Sequence, residues 1–412
     1  MIKRRHVFHV AGYDPISPES QIARFRRSLS IFGKTWGIPS QISGLSQPPD
    51  GVSAWWDCET QGPNWSVHTT YELLRWDDLI LRDFSRSMPS RLMQAAITLF
   101  DFIVSGTLFR YFKASWKYAC FFLFPFVHVV LFALAAIAAG RWVSTFFPLT
   151  GFSALIVTLV VALPIFVGLQ YWLGRRWPIN HVLDDWIFAR QFVHGERADM
   201  EARLEAFADK VIAQAQAAKV DEIVIVGHCL GAALVMDIVA RALARDPDLP
   251  RHGPALCILT VGATIPKFAL HPKGDRFRRA AQRIANEASI FWVEYQARDD
   301  AISFYRFNPV SLSRISRGQR TEKPLINRVQ LHEMMQPETF KRNRFNFMRL
   351  HYQFVMANDK RSRYDFFIII CGPLPFKLIT TSQNAVDSFG SDGSLIDSRE
   401  AATQSPMTVN SI

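Results

Sequence analysis

The chain has 412 residues, with 47 Lys plus Arg against 36 Asp plus Glu, and a net charge of +11. At 49% hydrophobic and 20% charged it is too apolar for a disordered chain and too mixed for a fibrous one, and its length suits one large domain or two ordinary ones. Five scattered cysteines, Cys58, Cys120, Cys229, Cys257 and Cys371, form no CxxC pair, which argues against a disulfide framework or a thiolate zinc site and fits a reducing compartment.

The opening MIKRRHVFHVAGYDP has no long apolar stretch before Gly12, so no cleavable signal peptide is expected. Residues 5–11 form a β-rich run, followed by a Pro-containing loop and a helical stretch over 18–32. Residues 65–74 read as a second strand. Together these make the first part of a soluble domain, about 1–90. Residues 93–111, within a segment 91–115, mix apolar residues with sparse charges. They read either as an interfacial helix lying on a membrane or as a helix packed on the soluble domain.

Two apolar runs follow. Residues 116–140 carry Lys117 as their single firm charge, and residues 151–173 contain no Asp, Glu, Lys, Arg or His. Each reaches roughly 35 Å as a helix, enough to cross a bilayer core of about 30 Å. A ten-residue connection, 141–150, leaves room only for a turn. The alternative is a pair of buried core helices. Arg86, Arg91, Arg110, Lys113 and Lys117 precede the hairpin, Arg175, Arg176 and Arg190 follow it, and the connection holds Arg141 alone. Positive-inside bias therefore predicts a two-pass protein of an inner or plasma membrane with both termini cytoplasmic. Trp116, Trp142, Trp172 and Trp177 lie where an aromatic belt would be, and Pro125 and Pro164 are tolerated in membrane helices. His128 reads as a polar gate or as a neutral ring packed between the spans. Two helices make a poor transporter, so the hairpin is expected to be an anchor.

Beyond it, Met200, Leu204, Phe207, Val211 and Ile212 recur at helical spacing over 197–218. Residues 222–226 (EIVIV) read as a strand buried on both faces, 231–243 as a helix, and 256–261 and 289–295 as further strands. Strands alternating with helices predict an α/β fold: a mostly parallel sheet with helices on both faces, interrupted by the hairpin and resumed over 175–375. From Ser382 the chain turns polar, with nine Ser or Thr in its last 31 residues, and a disordered tail over 382–412 is expected.

The strongest chemical signal is Val226-Gly227-His228-Cys229-Leu230-Gly231-Ala232-Ala233, a strand, then Gly-x-Cys-x-Gly, then a helix. A nucleophile there sits on a tight strand-to-helix turn, where Gly227 and Gly231 avoid clashes with neighbouring backbone. The helix N-terminus favours a thiolate at Cys229, and the Leu230 amide points toward a developing oxyanion. The alternative is a glycine turn that merely closes a strand onto a helix, with Cys229 as a small buried residue.

In this stretch the chain resembles the α/β-hydrolase superfamily, particularly its lipase and esterase members, whose elbow usually reads G-H-S-L-G-A, as a membrane-anchored member of bacterial type. The resemblance covers the two soluble blocks, and its specific match is short. Cys229 stands where most members have Ser; dienelactone hydrolases of the superfamily use a cysteine there. The resemblance implies a triad in the chain order nucleophile, acid, histidine. Asp300 is the favoured acid, with Asp299 beside it as the second choice; both also read as solvated loop carboxylates. His351, in an apolar and aromatic setting, is favoured over His332. His351 would take the thiol proton and then activate the deacylating water, with the Asp holding its tautomer. The loop His9-Val10-Ala11-Gly12-Tyr13 resembles the superfamily's His-Gly loop, so the amide of Gly12 or Tyr13 would join Leu230 in the oxyanion hole. Neither His9 nor His228 is given a chemical step.

Residues 267–349 hold 17 Lys or Arg and 8 Asp or Glu, so +9 of the surplus lies there. Held at an inner leaflet, such a face would be drawn to anionic head groups by about 1 kcal/mol per well-placed residue; a solvated face without a ligand is the alternative. No basic helix or aromatic-basic module points to nucleic acid. No Walker loop, HExxH, EF-hand spacing or GxGxxG is present, so no metal or nucleotide cofactor is implied. The expected partners are the lipid bilayer and an acyl or lipid-like substrate. Two classes of function stay open: a membrane-anchored hydrolase of acyl esters or thioesters, or its cysteine acyltransferase counterpart, and a catalytically silent hydrolase-fold scaffold or sensor.

Overall fold

The computed structural model describes residues 1–394 apart from 149, 317, 318, 320, 382–385 and 387. The chain divides into two compact units. The first comprises Met1–Ile80, Ala198–Leu270 and Gly274–Ile412; the second comprises Leu81–Arg197 with His271–Lys273. Chain expected in the resumed soluble block from 175 thus joins it only at Ala198.

The first unit is built on an eight-stranded sheet. Its strands are β1 (Arg4–Val10), β2 (Ser40–Ile42), β3 (Ser53–Gln61), β4 (Ser66–Leu74), β5 (Glu222–His228), β6 (Ala255–Val261), β7 (Phe291–Ala297) and β10 (Leu325–Val329), in the order β10-β7-β6-β5-β1-β4-β3-β2. The short pair β8 (Phe307–Asn308) and β9 (Ser313–Arg314) stands apart. Every pairing from β4 across to β10 is parallel, while β3 is antiparallel to β4 and β2. The mostly parallel α/β sheet read from the sequence is therefore present, with β2, β3 and β10 as strands that reading missed.

Burial explains the two kinds of strand. All seven residues of β5 are buried, as in a parallel strand covered on both faces. In β3, Trp56, Cys58 and Thr60 are buried while Asp57 and Glu59 are less so, the alternation of a half-solvated antiparallel strand. The helix α1 (Pro18–Trp36) starts at Ser17, whose hydroxyl accepts from the Ser20 amide, with Pro18 in its first turn, and stops at Gly37 in the left-handed region. Its Phe25, Leu29 and Phe32 share one core with Trp56, Tyr71, Val224 and Val226. Side chains of this size stabilise by roughly 1.5–3 kcal/mol each on full burial.

The start of the expected disordered tail is corrected. Val386 and Phe389 are buried in that same core, Phe389 lies 5.9 Å from Trp36, and Trp65 Nε1 donates to the Ser391 carbonyl. Apolar side chains spaced among the serines dock this piece. The rest of the tail, 395–412, lies outside the described residues.

The second unit is helical. After α2 (Asp77–Phe84), which crosses the boundary between the units, come α3 (Met88–Val104), α4 (Thr107–Ala114), α5 (Trp116–Ser144), α6 (Gly151–Arg176) and α7 (Ile179–Val193). Helices α5 and α6, of 29 and 26 residues, are each long and apolar enough to cross a membrane. They meet through small residues. A Cβ on Gly140 would lie 2.3 Å from the Thr158 carbonyl oxygen, and Ala136 and Ala162 are buried. Such contacts let membrane helices approach closely. His128 Nδ1 donates to the Phe124 carbonyl one turn back, with the Trp177 ring 5.8 Å away. Helices α3 and α4 are bent by 71° at their junction and expose Phe100, Val104 and Phe109.

Candidate active site

Chain connectivity picks the place. The chain leaves β1 toward β4 and leaves β5 toward β6, so the order reverses between the neighbours β1 and β5. Their carboxyl ends flank the crevice where open α/β sheets bind ligands. Val10 pairs with Gly227 there, which places the loop at Gly12 beside the turn at Cys229.

Cys229 joins β5 to α8's packing partner α9 (Gly231–Arg245); α8 is Ala198–Ala217. It has φ of 57°, a strained value for a non-glycine residue. Hydrogen bonds over-determine this conformation: the Cys229 amide donates to the Val261 carbonyl, and the Cys229 carbonyl accepts from the amides of Ala232 and Thr264. The flanking glycines are required. A Cβ on Gly227 would lie 2.5 Å from Ala232 Cα, and one on Gly231 would lie 2.0 Å from the Val10 carbonyl oxygen. Cys229 is half-buried, whereas Cys58, Cys257 and Cys371 are buried. The glycine-turn alternative expected a buried cysteine there; Cys229 is half-buried.

Gly12 abuts the thiol: a Cβ there would lie 2.9 Å from Cys229 Cβ and 3.4 Å from Sγ. Tyr13 follows with its ring edge-on to Trp76 at 5.8 Å. Leu230 precedes the first turn of α9, where amides have no intrahelical acceptor.

The structure separates the four candidate acid and base residues into two pairs. His351 Nδ1 lies 2.8 Å from Asp300 Oδ2, with both side chains buried, and Asp300 Oδ1 accepts from the Ile302 amide. Asp299 and His332 make a partly exposed pair at 3.5 Å. Burial works against charge on His351, but the Asp300 carboxylate and the Cys229 thiol outweigh it and hold the imidazole's pKa well above its ordinary value. Burial likewise opposes charge on Asp300, and His351 holds its carboxyl below the usual range. His351 Nε2 has no aligned hydrogen bond, yet Cys229 acts on this ring. Such pairs commonly tighten only when substrate is bound.

Two residues support the ring: Gly262, which the sequence reading missed, and His228, which it placed in the elbow without a chemical step. Gly262, at φ of 53° after β6, sits under the imidazole, where a Cβ would lie 2.8 Å from His351 Cε1. His228 packs its ring 4.6 Å from His351 and its Nε2 donates to the His351 carbonyl at 3.2 Å. Burial, followed by the charge of His351, keeps His228 far below its ordinary pKa and neutral. A glycine directly after a buried strand was the available signal for Gly262; the contact of His228 spans 123 residues and left none.

A metal has one candidate cluster among the described residues, Asp101, His194 and His271 in the second unit. Asp101 Oδ2 lies 3.2 Å from His194 Nε2 and 3.1 Å from His271 Nε2. However, the Lys273 amide donates to His271 Nδ1 and the Lys273 ammonium faces His194 Nδ1. Neutral rings whose Nδ1 accepts a proton donor carry their own proton at Nε2, so that nitrogen donates to Asp101 and has no lone pair for an ion.

The structure thus sets a half-buried cysteine on a strained strand-to-helix turn, the Gly12 loop against it, and a buried His351–Asp300 pair whose ring feels the cysteine. No protein-family model matches the chain, and neither the curated proteins nor the solved structures give a match.

Proposed function

We propose that the chain is a membrane-anchored enzyme of α/β-hydrolase type that cleaves an acyl ester or thioester through Cys229, His351 and Asp300. The observation that carries the reading is the buried His351–Asp300 pair at 2.8 Å acting on a half-buried cysteine held at φ of 57°. A cysteine serving only as packing needs neither the strain nor the pair.

His351 takes the Cys229 proton as sulfur attacks the acyl carbonyl, and the imidazolium is stabilised by Asp300. The oxyanion is received by the amide of Leu230 and one from the Gly12–Tyr13 loop. Collapse expels the alcohol or thiol, which collects the proton from His351. Water, deprotonated by the same ring, then hydrolyses the thioester and restores the thiol. An acyl acceptor in place of water would make the protein a transferase with the same first half. The apolar hairpin supports a lipid-derived or membrane-delivered substrate.

The test uses detergent-solubilised full-length protein with p-nitrophenyl esters and acyl thioesters of graded length, and intact mass to catch an acyl adduct. Wild type is expected to turn over or trap an acyl group, and Cys229→Ala and His351→Ala to do neither. Activity confined to Cys229→Ser would mark a silenced hydrolase. Inert, unlabelled protein in every form would put the scaffold reading first.

A further inference from the structure

One cavity of the first unit is lined by residues whose hydrogen-bond donors meet no protein acceptor among the described residues. Ala11, His228 and Tyr352 line it, the chain neighbours of Gly12, Cys229 and His351, so it adjoins the candidate site. His9, Trp56, Tyr71 and Arg24 complete the walls that matter here.

The tautomer of His9 follows from its partner. The Tyr71 hydroxyl lies 2.6 Å from His9 Nδ1, and among the described residues the phenol has no other acceptor. The hydroxyl therefore donates to Nδ1, and the ring carries its proton at Nε2. That Nε2–H is buried without a partner, and so is Nε1–H of Trp56, in residues only 5% and 1% exposed. Arg24 is half-buried, with its guanidinium 4.7 Å over the Tyr352 ring and the Asp14 carboxylate acting on it without a close ion pair among the described residues. Two neutral donors and a cation on residues that line one cavity are complementary to an oxygen anion.

We infer that this cavity binds the anionic end of the substrate, a carboxylate or a phosphate monoester, with Arg24 as its charge partner and His9 and Trp56 as neutral donors. The word substrate rests on the hydrolase reading; the anion rests on the donors alone. The free cavity has a volume of about 20 Å³, room for one water, so Arg24 swings off Tyr352 to admit the anion. Guanidinium and ligand then replace a cation–π contact with a charge-assisted pair.

Full-length protein in detergent is melted with glutarate and, separately, with inorganic phosphate. One of the two is expected to raise the melting temperature of wild type and of Cys229→Ala alike, and which one does so names the anion. The shift is lost in Arg24→Gln and reduced in Trp56→Phe, which removes the N–H together with part of the buried ring, so each variant's shift is read against its own anion-free melting temperature. In turnover, an acyl thioester ending in the preferred anion is expected to exceed its neutral ester by at least about tenfold in kcat/KM, a preference that collapses in Arg24→Gln. No shift with either anion, or equal shifts in wild type, Arg24→Gln and Trp56→Phe, overturns the anion site. Anion binding without any turnover overturns the hydrolase reading and leaves the site standing; turnover indifferent to the anionic end does the reverse.

Discussion

Asp300 and Asp299 are adjacent in the chain, and only one of them reaches the imidazole. The turn after β7 sends Asp300 inward to His351 and leaves Asp299 partly exposed beside His332. Type and order of residues narrowed the acid to this dipeptide, and the direction of each side chain could not be read from it. Asp300→Asn keeps the shape of the acid and removes its charge. An amide that donates to Nδ1 stabilises the wrong tautomer, so kcat is expected to fall by about 10²–10⁴ with little change in KM. The raised imidazole pKa also loses its main support, so the acid limb of the pH–rate profile, where the base His351 deprotonates, moves to lower pH. A variant with an unchanged kcat and profile would remove Asp300 from the mechanism.

Elements were legible where one period ran unbroken. EIVIV and LCILTV announced β5 and β6 because strands covered on both faces are apolar throughout. Strand β3 was missed because SAWWDCETQ mixes two tryptophans with acids, and its period of two becomes clear only with β4 alongside. Strand β7 hides a feature of another kind. Its Glu294 is buried and accepts from Thr260 and Gln296, and burial pushes its carboxyl up to about 7. The folded state therefore holds this proton more tightly than the unfolded chain, whose carboxyl titrates near 4.5. The associated stability is complete below pH 4.5 and is lost as pH rises through 7, roughly 3 kcal/mol in all. Glu294→Gln, permanently neutral, is expected to melt close to wild type at pH 5 and about 5 °C or more above it at pH 8.5. Parallel melting of the two proteins across that range would show that the carboxyl is not held protonated.

The hairpin was the most legible part of the whole molecule, because hydropathy needs no knowledge of tertiary contacts. Helices α5 and α6 extend past the apolar runs, to 29 and 26 residues, or about 43 and 39 Å. That exceeds a hydrocarbon core of about 30 Å, so helices of this length that cross it are expected to tilt or to project their ends into the head-group layer. The basic surplus is less simple than its sum. Arg276 pairs with Glu201, Arg278 and Arg279 with Asp275, and Arg306 bonds the Ile315 carbonyl, so part of it serves the fold. The charges flanking the hairpin decide orientation independently of these. With Arg86, Arg91, Arg110 and Lys113 before α5 and Lys117 in its first turn, against Arg141 alone in its last turn, the connection is expected outside and both termini inside. In intact cells, Ser144→Cys is expected to react with a membrane-impermeant maleimide, a C-terminal tag to need permeabilisation for detection, and the protein to stay with membranes at alkaline pH. Release by alkali would overturn the spanning hairpin. Labelling of Ser144→Cys only after permeabilisation, with the protein still membrane-bound, would instead invert the topology and put the cysteine site in a compartment where its thiol is exposed to oxidation.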